Sequence, residues 1–183
     1  GIRKKTWNKN VIALGLAAGF LEPLESTSIH LIQTAIARLM TNFPDKHFNE
    51  ADTNYYNERT LLEYEQVRDF LILHYKATER DDTPFWNYCR NMEIPKTLKD
   101  RMGIYLENAR LYRHDNELFG DASWFAVMHG QNMHPQRFHP NANIMPDAEL
   151  DKRMSEIHKT WAACLDTLPT HQEYIDQHCK ADI

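Results

Sequence analysis

Side chains able to do chemistry crowd into one stretch of this chain, residues 19–32, which read GFLEPLESTSIHLI. Glu22 and Glu25 flank Pro23 and Leu24, and Ser26, Thr27 and Ser28 follow in a row before a helical pattern begins. A carboxylate can accept a proton from a reacting group or stabilise positive charge developing beside it. A helix start offers unpaired N–H groups and the positive end of the peptide dipoles, so its amides can hold a halide, a phosphate or a carboxylate without Lys or Arg. A candidate base thus adjoins a candidate anion site. The same spacing also suits simple capping by Ser26 or Thr27, with Glu25 a dipole-stabilising surface acid.

The elements that must position these residues follow from periodicity. Val11–Leu14 read as a short strand. The small residues of GLAAG after it let a backbone or ligand approach closely. From Thr27 the apolar positions Ile29, Ile32, Ile36 and Leu39 recur at helical spacing, and Phe43-Pro44 ends the pattern. A second helix is expected over residues 55–75, with Leu61, Tyr64, Val67, Leu71 and His74 inward. Thr83-Pro84 has the form of an N-cap with an N1 proline opening a helix that carries Phe85 and Trp86. A further helix is expected over 98–112, with Leu98, Met102, Tyr105 and Ala109 inward, then one or two turns at SWFAVMHGQ. Residues 134–146 read as a crossing loop. Leu150, Met154, Ile157, Trp161 and Leu165 form a last stripe, expected in the core behind an Asp147 cap, and a short helix follows Thr170. The chain reads as mainly α.

Composition narrows the function class. The chain has 183 residues, enough for a real core, and a net charge of −5 gives no basic field to gather nucleic acid. No apolar run is long enough for a membrane span, and the 3 cysteines form no CxxC, which favours reduced thiols and a cytoplasmic setting. Among the 10 histidines, His129, His134 and His139 lie in Gly- and Pro-containing sequence at a spacing that shares no helical face, so no metal site is expected.

Residues 15–29, GLAAGFLEPLESTSI, closely resemble the signature of the flavin-dependent tryptophan halogenases, and residues 74–86, HYKATERDDTPFW, resemble that family's aromatic substrate segment. The resemblance implies that Glu25 is the catalytic glutamate and Ser26 the serine beside it. It implies that Thr27 and Ser28 bind the halide, that Leu16 and Ile29 contact the flavin, and that Phe85 and Trp86 pack on the indole. His74 stands where the family often has tyrosine, with Tyr75 retained, and Asp81 stands where it has a glutamate that grips the substrate amine. Ser28 stands where many members have glycine. The changes at His74 and Asp81 point to an indole, a peptide-borne tryptophan or another electron-rich aromatic as substrate.

The family's GxGxxG fingerprint, its WxWxIP motif and its upstream catalytic lysine do not occur in this sequence. The expected fold is therefore the C-terminal helical part of an α+β flavin monooxygenase-type halogenase, a mainly α fragment. Residues 1–45 would give the flavin and halide side, and residues 46–183 the substrate side. The implied reaction uses FAD, reduced by a separate flavin reductase, to turn chloride or bromide into hypohalous acid that halogenates the arene. The missing N-terminal half is an implied partner, a homodimer is left open, and residues 1–183 alone are expected to be inactive. The alternatives are a flavin-dependent aromatic hydroxylase and a non-catalytic helical interaction domain.

Overall fold

The computed structural model describes residues 1–180. It divides into two compact units, Gly1–Phe138 and His139–Ile183. In the first unit, a two-stranded hairpin pairs β1 (Trp7–Asn8) antiparallel with β2 (Val11–Ile12). Five helices follow: α1 (Ser28–Thr41), α2 (Glu50–Lys76), α3 (Pro84–Asn91), α4 (Lys96–Asn108) and α5 (Asp121–Gly130). The mainly α expectation holds. The strand expected at Val11–Leu14 is only two residues long, and its partner, Trp7–Asn8, carries too few alternating positions to be read from sequence.

α2 is the spine, packed against α1, α3, α4, α5 and β1. It begins at Glu50 rather than Tyr55 because the Asn49 side chain caps it, accepting the Asp52 N–H at 2.9 Å. Acids Glu50 and Asp52 in its first turn and His74 and Lys76 in its last complement the helix dipole. Its buried residues Tyr56, Thr60, Tyr64, Val67, Phe70, Leu71 and Leu73 cover more than one face, because neighbours pack around it. One core cluster gathers Phe70, Leu73, Leu98, Tyr105, Trp124 and Met128, and another gathers Leu31, Tyr64, Val67 and Leu71.

The apolar stripe expected on α1 is displaced. Leu31 and Ala35 are buried against α2, while Ile29 and Ile36 face outward. The helix is apolar over a wide arc, so periodicity alone did not say which part of it α2 covers. Arg38 fastens α1 to α2, donating to Thr60 Oγ1 at 2.8 Å and to Glu63 Oε2 at 2.9 Å. α4 stops before its expected end because Ala109 turns left-handed (φ 53°).

The chain's first residues brace the reactive stretch. Arg3 N–H donates to Ala18 O at 2.8 Å and Phe20 N–H to Gly1 O at 2.7 Å, with Ile2 bridged to Gly19. A Cβ on Gly19 would lie 2.9 Å from Gly1 O and 3.0 Å from Tyr64 Cε1, so the close approach expected of GLAAG is a backbone approach at this residue.

The second unit holds a 3-10 turn (Pro140–Ile144), α6 (Asp147–Leu165) and α7 (His171–His178). Pro146, not Asp147, occupies the N-cap of α6, and Asp147 is its first helical residue, where its charge still suits the dipole. The stripe from Leu150 to Leu165 is exposed rather than core. α7 opens with a capping box between Thr170 and Glu173.

Candidate active site

Pro23–Glu25 form a 3-10 turn with the proline at its start. Glu22, extended just before the turn (φ −62°, ψ 151°), and Glu25 at its end both reach α2. They meet adjacent residues in the last turn of α2. Tyr75 donates its hydroxyl proton to Glu22 Oε1 at 2.6 Å, and His74 Nε2 lies 3.0 Å from Glu25 Oε1. The Glu22 hydrogen bond, helped by burial, raises the Tyr75 phenol above the usual tyrosine range. The Glu25 side chain is 34% exposed, partly covered yet open to a ligand. His74 is fixed from behind by a 2.8 Å hydrogen bond between Nδ1 and Phe70 O.

Tyr75 carries the arrangement on to α3. Its ring stacks on Trp86 at 6.1 Å and 20°, and meets Phe85 edge-on at 6.3 Å and 89°. Phe85 and Trp86 stand 5.0 Å apart at 73°. The Thr83 cap accepts the Trp86 N–H at 3.4 Å, as the Thr83-Pro84 signal predicts, and fixes where these rings leave the helix. Arg80 lies 4.5 Å from the Trp86 ring centroid and is held by Asp82 at 2.8 Å. That ion pair lowers Asp82 below the usual carboxylate range, through its hydrogen bond to Arg80 above all.

Ser26 is left-handed (φ 54°, ψ 33°), with its N–H bonded to Pro23 O at 3.0 Å. For a non-glycine residue this costs about 1–2 kcal/mol, and such strain gathers at functional sites. The turn delivers Thr27 to the N-cap position of α1, yet neither Ser26 nor Thr27 caps the helix by its side chain. Thr27 is 1% exposed, and its Oγ1 has no hydrogen-bond partner. A buried, unpaired hydroxyl costs about 1–3 kcal/mol. It lies beside the uncapped start of α1.

Ser28 and Leu16 line one small cavity of about 40 Å³ with Gly15, Leu21 and Ile32. Leu16 is 74% and Ile29 70% exposed. Asp81 is not drawn into the aromatic group. Its side chain is 75% exposed and its carboxylate lies 3.8 Å from Arg90. A cavity of about 420 Å³ lies elsewhere, between α2, α4 and the segment before α5. Its polar wall is already paired, through Arg101 with Glu117 and Thr97 with Asp69. Among the described residues no group of His, Cys, Asp and Glu could hold a metal ion, and no helix is long and apolar enough to cross a membrane.

Two residues escaped the sequence reading. Glu22 was seen only as an acid, three residues before Glu25 across Pro23. Arg80 sits in a polar stretch that gives no signal of its contact with Trp86.

The tryptophan halogenase family profile matches residues 1–147. Among curated relatives, the tryptophan 7-halogenase RebH of Lentzea aerocolonigenes is 26% identical over 97% of this chain and 37% of its own length. The tryptophan 6-halogenase SttH of Streptomyces toxytricini is 31% identical over 95% of this chain and 34% of its length. Among solved structures, the flavin-dependent halogenase Xcc4156 from Xanthomonas campestris superposes with a TM-score of 0.94 at 45% identity, covering 99% of this chain and 36% of that one. The chain thus spans about a third of the length of the relatives it matches.

Proposed function

This chain belongs to the tryptophan halogenase family, and on that footing we propose that it supplies the catalytic carboxylate, halide site and arene pocket of a flavin-dependent halogenase. The observation that carries the reading is Glu25, 3.0 Å from His74, next in the helix to the Tyr75 whose ring meets Phe85 and Trp86, and followed directly by the start of α1, where no side chain caps the helix and Thr27 Oγ1 has no partner. In this reading residues 1–45 face flavin and halide, and residues 46–183 face the substrate.

The residues present fit the cofactor and the halide. Leu16 and Ile29 offer exposed apolar contacts to a flavin ring, and the Thr27 and Ser28 amides with Thr27 Oγ1 offer neutral donors to chloride or bromide. Reduced FAD, regenerated by a separate flavin reductase, supplies with O2 the oxidation of halide to hypohalous acid. Holding the arene and taking its proton fall to this chain. Phe85, Trp86 and Tyr75 hold a flat ring by stacking, worth about 0.5–1.5 kcal/mol per pair beyond area burial. Glu25 stabilises the cationic ring and takes its proton as the ring regains aromaticity, with Ser26 beside it. General base help of this kind contributes about 10²–10⁴ in rate.

His74 engages Glu25, and Asp81 turns toward Arg90. Neither is placed as a grip for a free amino acid, which favours an indole or a peptide-borne tryptophan as substrate. The upstream part that the relatives carry belongs to the working enzyme, and residues 1–183 alone are inactive.

The test is product analysis with the full-length polypeptide, reduced FAD, O2 and an indole panel, in chloride, in bromide and without halide. Halogenated arene that tracks the halide supplied supports the reading. A hydroxylated arene formed equally without halide replaces it with a hydroxylase. No dependence on flavin leaves a non-catalytic helical domain.

A further inference from the structure

We propose that His74 is a positioning residue for Glu25, and that the two hold a single proton between His74 Nε2 and Glu25 Oε1. The proposal rests on the reading of Glu25 as acceptor of the arene proton.

His74 Nδ1 lies 2.8 Å from Phe70 O, a carbonyl that can only accept, so Nδ1 carries a proton. A neutral imidazole with its proton on Nδ1 has a bare lone pair on Nε2. That atom faces a carboxylate oxygen at 3.0 Å. A lone pair against a carboxylate repels, so the contact needs one proton more: on Nε2, giving imidazolium and carboxylate, or on Oε1, giving imidazole and carboxylic acid. The proton belongs to the pair.

The surroundings leave this proton no nearer competitor. From the turn, Glu22 is engaged by the Tyr75 hydroxyl. On α2 itself, Lys76 Nζ is held by Arg90 O and Met92 O, and the Phe70 ring meets His74 edge-on at 4.9 Å. Ahead of α3, Arg80 is paired with Asp82. The Phe70 carbonyl and ring fix the imidazole plane, and the shared proton fixes Oε1 in that plane. Oε2 remains for the substrate. When the arene C–H bond breaks, its electron pair returns to the ring and its proton comes to Oε2, so the pair passes from one proton to two and returns the excess to solvent.

The shared proton is what orients Glu25, and removing the donor at Nε2 removes that orientation. His74→Gln places an amide N–H near the Nε2 position with no proton to lose. His74→Phe keeps a ring and offers no donor.

The experiment measures kcat and KM for arene halogenation by the full-length enzyme and its His74→Gln, His74→Phe and Glu25→Gln variants. It adds the ring ¹⁵N NMR signals of His74 in the unmodified protein. His74→Gln, which keeps a donor, is expected to rescue kcat to within several-fold of the parent. His74→Phe is expected to lose up to about 100-fold in kcat, the scale of a mispositioned catalytic group, with KM little changed. The NMR signals are expected to show a protonated Nδ1 throughout. A His74→Phe enzyme with the parent kcat, a His74→Gln enzyme no better than His74→Phe, or a ring protonated only at Nε2 overturns the proposal, and the NMR result stands even if a variant fails to fold. Glu25→Gln that still halogenates overturns the underlying reading instead, so the two failures are distinct.

Discussion

The Tyr75 hydroxyl donates to Glu22 Oε1 at 2.6 Å, and through this bond a residue of the 3-10 turn holds the ring that stacks on Trp86. It complements the Glu25–His74 contact one residue away on α2. Two carboxylates three apart thus contact two adjacent residues of the helix.

The Glu22 bond gives Tyr75 a signature in alkali. Its phenol is raised chiefly by that bond, so the folded state keeps a proton that the unfolded chain has already released. The stabilisation is complete below the ordinary phenol range and is lost as pH rises through the raised range of Tyr75. Other buried tyrosines contribute similar slopes, so the comparison must be differential. Urea midpoints measured from neutral to alkaline pH should fall less steeply for Tyr75→Phe than for the parent. Parallel slopes would count against the bond.

Gly19 and Gly103 make an opposed pair. A Cβ on Gly19 meets backbone at 2.9 and 3.0 Å, whereas one on Gly103, inside α4, meets nothing within 4 Å. Gly19→Ala should destabilise by about 1–3 kcal/mol through forced backbone shifts. Gly103→Ala should stabilise by about 0.5–1 kcal/mol through helix propensity. Thermal or urea unfolding of each reads the sign directly.

Arg101 and Glu117 form a buried two-pronged ion pair at 3.1 and 2.9 Å, with the guanidinium 4.0 Å from the Trp124 ring centroid. Removing one member strands the other charge. Arg101→Met or Glu117→Leu alone should cost about 3–5 kcal/mol, and the double variant should recover most of that loss. A double-mutant cycle in urea checks it, and purely additive losses would show that the pair is not coupled.

Trp86 is expected to orient the arene rather than to react. Trp86→Leu in the full-length enzyme should raise KM by about 2- to 10-fold, the equivalent of one lost stacking pair, and should widen the mixture of ring positions halogenated. Steady-state kinetics with chromatographic separation of the isomers measures both.

Much of this was legible in the sequence because it is written locally. Thr83-Pro84 announces the cap that aims Trp86, and residues 15–29 carry their pattern with one departure, Ser28. What stayed hidden depends on partners distant in sequence. His74 meets Glu25 across 49 residues of chain, and nothing in the spacing of either predicts it. The outward turn of Ile29 and Ile36 depends on which arc of α1 lies against α2, and the early start of α2 on a cap at Asn49. The stripe on α6 has correct helical periodicity but is not buried, since periodicity reports a face and not what covers it.

The central claim is that Glu25 accepts the proton from the halogenated ring. Glu25→Gln in the full-length enzyme tests it most directly, in single-turnover reactions that follow flavin oxidation and product formation together. The account predicts flavin oxidation at the parent rate with arene halogenation reduced by about 10²–10⁴. Halogenated product formed by Glu25→Gln at the parent rate would contradict it.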